Sequence, residues 1–497
     1  MRQVGAVDDV ATTGVPPTGW QRLLIEPKRP DRIRNRPGAF WLTVAAVCIG
    51  AFMGQLDASI VTVALPTLQR TFHASVGAVT WVGLSYLLVL VATVVAVGRF
   101  ADMWGRKLLY VYGFAIFIIG SALCGLAPSL GWLIGFRALQ AIGAALLQAN
   151  SVAIVVLAVP KPSLGKAIGI QGAAQAVGLA LGPTVGGFLL AAGGWRLIFF
   201  VNVPFGLLGM IAGVLLIPRS RDLQDPTPFD WLGFTLFFPA VVALFAAISF
   251  GNARGWTSPS IIGLLVGGSG LLVAFVHRER RCEHPMLDLQ LFRQSRFSAG
   301  ITSGLLSYLV MFGVLFLVPF YLERGVGLGS GRAGLELMVM PVALGATAPF
   351  AGRLADRVGA RPLTVGGMAC VAGGLVALAA LRPETGLFLV LLAVVGIGMG
   401  AFTPPNNAAI MGSAPAGQAG VASGVLNMTR GMGTSLGLAV TGLIFDQAGG
   451  GSGPSATVDH AFSITSIVLA GIALVAGFIA GAREGGPLST PAGGMVE

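Results

Sequence analysis

Fourteen long apolar runs, separated by short polar segments, constrain this 497-residue chain more than any other feature. A helix needs about 20 apolar residues to cross the hydrocarbon core of a bilayer. Runs near that length lie at 40–63, 76–97, 108–127, 133–157, 167–192, 197–217, 231–250, 261–276, 297–321, 333–351, 363–381, 387–402, 422–445 and 462–482, the eighth and twelfth being short. They are continuously apolar rather than alternating, which predicts helices and argues against a barrel. With 55% hydrophobic and only 10% charged residues, the composition lies outside that of soluble domains. The expected fold is an all-α membrane protein with fourteen transmembrane helices.

A net charge of +11 would suggest a nucleic-acid partner in a soluble chain. Here its placement explains it. Twenty-three of the 31 Lys and Arg fall on the side of the leading tail, six fall opposite, and Arg137 and Arg430 lie within runs. That asymmetry predicts two cytoplasmic termini, and no nucleic acid is needed. The first run is too long for a cleaved signal and should stay as an anchor. Cys48, Cys124 and Cys370 lie in runs and Cys282 in a loop, without a disulfide or metal spacing. His73, His277, His284 and His460 are placed in loops and form no metal set. No Walker-type lysine loop points to ATP. Gly396-Ile397-Gly398-Met399-Gly400 lies inside an apolar run, which excludes a dinucleotide loop. Asn427-Met428-Thr429 is a sequon only formally, being buried in the membrane. No nucleophile–base pair argues for an enzyme.

One charged turn occurs twice. Gly98-Arg99-Phe100-Ala101-Asp102-Met103-Trp104-Gly105-Arg106-Lys107 is echoed by Gly352-Arg353-Leu354-Ala355-Asp356-Arg357-Val358-Gly359-Ala360-Arg361, with five matches at a separation of 254 residues. Each copy follows the second run of a set of six. The count 6+2+6 predicts a cytoplasmic tail (1–39), a six-helix bundle (40–217), and a linker with two extra helices and a basic loop (218–296). A second six-helix bundle (297–482) and a cytoplasmic C-terminal tail (483–497) follow. The leading tail, rich in Pro and Arg, is expected to be mobile. Duplication of this kind puts a substrate site between the bundles near mid-membrane.

Within this frame Asp57 stands out, late in the first run. A carboxylate in hydrocarbon costs about 2.5–3.5 kcal/mol, so it should meet a partner or a wet cavity. A carboxyl group whose surroundings alternate can take up and release a proton. Arg137, in Arg137-Ala138-Leu139-Gln140-Ala141-Ile142-Gly143, is its expected counter-charge; a fixed ion pair supporting packing is the alternative. In the turn, Asp102 suits a helix end, Arg99, Arg106 and Lys107 suit the cytoplasmic surface, and Gly98 and Gly105 permit a tight path. Gly178, Gly182 and Gly186 recur every four residues in the fifth run and let a helix approach closely. Pro183 bends that helix, and Gly187 completes the Gly-Pro-x-x-Gly-Gly ending.

In order and spacing these segments resemble the major facilitator superfamily, in its branch of fourteen-helix drug:proton antiporters. The stretch Trp195-Arg196-Leu197-Ile198-Phe199-Phe200-Val201-Asn202-Val203-Pro204 resembles a signature of that branch, as do Trp81 and Tyr86. Departures are Thr62, where asparagine is usual, and Ala360 in the second turn. The resemblance covers residues 40–482 and implies export of lipophilic, often cationic compounds in exchange for protons. On it, Asp57 and Arg137 belong to proton coupling, Gly98–Lys107 to gating and Gly178–Gly187 to antiport. Candidate cavity residues are Trp81, Tyr86, Gln148, Asn150, Gln175, Phe312, Met428 and Met432, aromatic, amide and thioether groups that accept varied shapes. Glu336 is a further acid that could receive a cationic group or face the surface. The expected system is a multi-pass monomer of the bacterial cytoplasmic membrane. It has no cofactor, is driven by the proton motive force, and has a small lipophilic substrate, protons and the bilayer as partners. A dedicated exporter of one self-made metabolite, and a non-transporting sensor or scaffold, are the alternatives.

Overall fold

The computed structural model describes residues 26–34, 36–74, 76–220, 229–283, 285–328, 330–381, 385–415, 418–449 and 455–482. Each apolar run becomes a helix: α1 (Phe40–Phe72), α2 (Val76–Trp104), α3 (Arg106–Leu126), α4 (Leu130–Ala158), α5 (Leu164–Gly193), α6 (Asn202–Leu216), α7 (Trp231–Arg254) and α8 (Pro259–Glu279). The second half continues with α9 (Ser295–Phe320), α10 (Val339–Val358), α11 (Ala360–Leu381), α12 (Thr385–Ser413), α13 (Ala419–Gln447) and α14 (Ser455–Gly481). Short helices at Arg196–Phe200 and Ser330–Leu337 lead into α6 and α10.

Twelve of the described helices are long and apolar enough to cross a membrane, and α5, read as one bent crossing, makes thirteen. The remaining expected span, α13, is a full 29-residue helix. Asn427, Thr429, Arg430, Thr434 and Ser435 make it too polar to qualify by composition. It tolerates them because it packs against α2, α4, α7 and α9 rather than presenting a whole face to lipid. The twelfth span is not short: α12 runs through Pro404 and Pro405, which a helix packed among neighbours accommodates. The first helix likewise extends past its apolar run, so Asp57 sits midway along α1 rather than late in it. His277 and His460 lie on α8 and α14 rather than in loops.

Within the first bundle α1 packs on α5, and α4 on α2 and α3; within the second α9 packs on α13, α10 on α12, and α11 on α12 and α14. The bundles meet through α5 with α10 and α2 with α13. The inserted helices pair with each other, and α7 closes on α2 and α13, where Trp81 lies 5.2 Å from Phe250 between ring centroids. Phe100, in the charged turn, stacks on Phe229 at 4.1 Å, just before α7. The extra pair therefore braces the outside of one bundle seam.

The end of the leading tail is not a loose segment. Glu26 is buried, and its carboxylate accepts from Ser220 N (2.7 Å) and Ser220 Oγ (2.8 Å). Ser220 Oγ in turn accepts from the Arg106 and Lys107 amides (2.8 and 3.0 Å). The Lys107 ammonium donates to the Pro27 carbonyl (2.8 Å). These bonds satisfy orphan amides at the start of α3 and tie the tail to the turn.

Candidate functional site

Three crossings bring their polar residues to one point. Arg137 Nη1, on α4, donates to Asp57 Oδ2 on α1 at 2.7 Å. The other carboxylate oxygen accepts from Gln140 Nε2 (3.0 Å) and from Asn202 Nδ2 at the start of α6 (2.8 Å). Asn202 also donates to Ser121 Oγ on α3 (3.1 Å), whose hydroxyl donates to the Phe199 carbonyl (2.8 Å). Both charges are shut away from the surface, Asp57 at 0% and Arg137 at 1% exposure. Asp57 therefore meets the partner expected of it and not a wet cavity.

The guanidinium is held from several sides. Its Nη1 also donates to Gln140 Oε1 (2.7 Å), and its Nε donates to the Val82 carbonyl on α2 (3.2 Å). The Tyr86 ring lies 4.2 Å from its central carbon and the Phe199 ring 5.8 Å away. Arg137 thus keeps acceptors and aromatic faces when Asp57 is taken out of the pair. Gln140 and Asn202 had no assigned role in the sequence. Gln140 follows Arg137 by three residues and so shares its helix face, and Asn202 is an amide inside an apolar crossing; both signals were there to use.

The charged turns act across the bundle seam. Asp102, at the end of α2, is paired with Arg106, and its oxygens accept from the Gly420 and Val421 amides (2.9 and 3.1 Å). These amides open α13, so a first-bundle carboxylate caps a second-bundle helix, where the positive end of the helix dipole favours it. The echo mirrors this: Asp356, on α10, accepts from the Gly165 and Lys166 amides (2.8 and 3.2 Å) that open α5. Ala360 stands where Arg106 stands in the first copy, so this second latch lacks the paired arginine. Gly105 and Gly359 have φ of +103° and +86°, conformations open to glycine at little cost, which explains their repetition. Gly98 and Gly352 let the backbones meet: a Cβ on either would collide with the Gly420 or Gly165 carbonyl. Arg106 and Lys107 are buried in this junction rather than spread over a surface.

Three glycines of the fifth-span motif serve the first bundle. A Cβ at Gly178 would strike the Phe52 carbonyl, one at Gly182 the Ser59 side chain, and one at Gly186 Ile60, all on α1. Gly187 faces open space and takes no part in this contact. The helix bends by 44° between Gly182 and Thr184, at Pro183.

The cavity candidates divide. Tyr86 is sealed beneath Arg137, and Asn150 is fully buried with its amide donating to the Leu146 carbonyl (2.7 Å); neither lines an open surface. Trp81 packs against Phe250 on α7. Gln148, Gln175, Phe312, Met428 and Met432 are partly exposed. Glu336 does not face the surface: it lies buried on the short helix before α10, 3.2 Å from Arg332. Among the described residues, no group of His, Cys, Asp and Glu could hold a metal.

Sequence comparison agrees with this architecture. The profile described as Major Facilitator Superfamily matches residues 47–278 and 300–493, and the chain belongs to that family of membrane transporters. It is 35% identical over 412 residues to the riboflavin transporter RibZ of Clostridioides difficile, covering 82% of this chain and 89% of the relative. It is also 35% identical over 405 residues to the multidrug resistance protein Stp of Mycobacterium tuberculosis, covering 81% and 75%. The second of these carries a drug-resistance name, in keeping with the drug-efflux branch whose motifs the sequence resembles. The fold matches the proton:xylose symporter XylE with a TM-score of 0.62 at 16% identity, over 88% of this chain and 94% of that one.

Proposed function

We propose that this transporter exports lipophilic drugs or antibiotics across the cytoplasmic membrane in exchange for protons, with both termini in the cytoplasm and one chain sufficient. The observation that carries the reading is the buried Asp57–Arg137 pair, at the junction of α1, α4 and α6. A proton arriving on Asp57 removes one charge of the pair, and Arg137 falls back on Gln140, the Val82 carbonyl and Tyr86. That change biases how α1 and α4 sit, and with α1 moves α5, which packs on it through Gly178, Gly182 and Gly186 and reaches the other bundle beyond. Uptake of a proton from outside releases substrate there, and its loss to the cytoplasm restores affinity. One charge crossing 100 mV supplies about 2.3 kcal/mol, enough for accumulation of tens-fold. With both termini in the cytoplasm, as proposed, the two aspartate latches face the cytoplasm and this state is closed inward. No cofactor enters the cycle.

A narrower reading, export of a single metabolite, draws on the same relatives only for its narrow specificity, since one of them is called a riboflavin transporter. Efflux of dyes and antibiotics from a pump-deficient bacterial host tests both. Broad efflux that an uncoupler abolishes supports the drug:proton reading. Movement of one compound only favours the narrower reading, and efflux indifferent to the uncoupler contradicts proton exchange.

A further inference from the structure

Three acids buried at or beside the crossings are each paired with an arginine: Asp57 with Arg137, Asp102 with Arg106 and Glu336 with Arg332. Arg430 breaks the pattern. It lies on α13 eleven residues after Ala419, about 17 Å into a helix that rises 1.5 Å per residue. Among the described residues, no carboxylate lies within 4 Å of it. Nη1 donates to Asn427 Oδ1 at 3.1 Å, the Tyr308 ring on α9 lies 5.5 Å from its central carbon, and Nε is buried with no acceptor. Asn427 is itself fixed, its Nδ2 donating to the Gln148 and Ser423 carbonyls, both at 2.9 Å. The guanidinium is therefore aimed by a first-bundle contact and left with donors to spare, on the helix that joins the bundles. Tyr308 and Phe312 stack beside it at 6.4 Å with planes 19° apart, both partly exposed.

We propose that Arg430 binds an anionic group of the transported molecule, a carboxylate or an acidic phenol or enol, while Tyr308 and Phe312 hold its aromatic body. A guanidinium offers a planar fork of donors that matches such oxygens, and a charge kept inside a membrane without a carboxylate to neutralise it marks a substrate path. The inference deepens the export reading by naming the substrate class, and it runs against the expectation of mainly cationic cargo. The two acids that could attract a cation, Asp57 and Glu336, are already neutralised by their arginines.

The test is equilibrium binding to the purified full chain in nanodiscs, with no gradient, so that it stands or falls apart from proton coupling. Two dyes share one ring system, anionic fluorescein and cationic rhodamine 6G. The wild type should bind fluorescein; Arg430→Gln should weaken that binding tenfold or more and leave rhodamine 6G within twofold, while Arg430→Lys keeps part of the fluorescein affinity. The substitution removes a charge from the membrane, and an unchanged melting temperature shows that the fold survives. Absent wild-type fluorescein binding, no effect of Arg430→Gln, or equal loss of both dyes overturns the proposal.

Discussion

Asp57 and Arg137 each occupy a place where either charge alone would be expensive, and each makes the other tolerable. Removing one member of such a buried pair costs about 3–5 kcal/mol, because the survivor stays charged and dry. Asp57→Asn should therefore destabilise the protein, toward the lower end of that range since Gln140, Val82 and Tyr86 remain beside Arg137. Asp57→Asn with Arg137→Gln should recover part of the loss. Thermal unfolding of the purified variants checks this, and a double variant less stable than the single one contradicts it. At this scale the sequence was legible where charge met hydrocarbon: Asp57, Arg137 and Arg430 stand out in apolar runs. It was less legible for the cavity candidates. Tyr86 and Asn150 carry the right chemistry, but which way a helix face points is decided by tertiary packing, and both point inward.

The helices were legible in number because length and apolarity are local properties. Their ends were less so. The twelfth apolar run ends at residue 402, yet α12 continues through Pro404 and Pro405 to Ser413 because surrounding helices accommodate the missing amides. The polarity of α13, conversely, becomes intelligible once it is seen to lie between the bundles. On α5 the motif glycines act by contact, so substitution should follow geometry. Gly178→Ala and Gly182→Ala drive a methyl group into α1 and should cost about 1–3 kcal/mol. Gly187→Ala meets nothing within 4 Å and should be neutral. Comparing the three melting temperatures is enough; equal loss at all three positions would show that close packing on α1 is not what the motif does.

Across the whole molecule, the duplicated turn is a pair of latches that cap one helix of the opposite bundle each. The repeat was visible in sequence, but its partners, Gly420 and Gly165, lie hundreds of residues away and carried no signal of their own. The departure at Ala360 now has a physical meaning, a latch without its arginine. Asp102→Asn leaves Arg106 buried without its partner as well as weakening two charge-assisted bonds, worth about 1.5–3 kcal/mol each. It should open the seam more than Asp356→Asn does. Spin-label distances between the α2–α3 and α10–α11 turns should lengthen in Asp102→Asn more than in Asp356→Asn; unchanged distances in both would show that the caps do not hold the bundles together.

The central claim is that Asp57 couples proton movement to transport. Proteoliposomes with an imposed pH gradient and a dye that the wild type exports test it most directly. The wild type should accumulate dye against its gradient while dissipating the proton gradient. Asp57→Asn should exchange dye across the membrane without accumulating it. Proton-driven accumulation by that variant at the wild-type level would contradict the account.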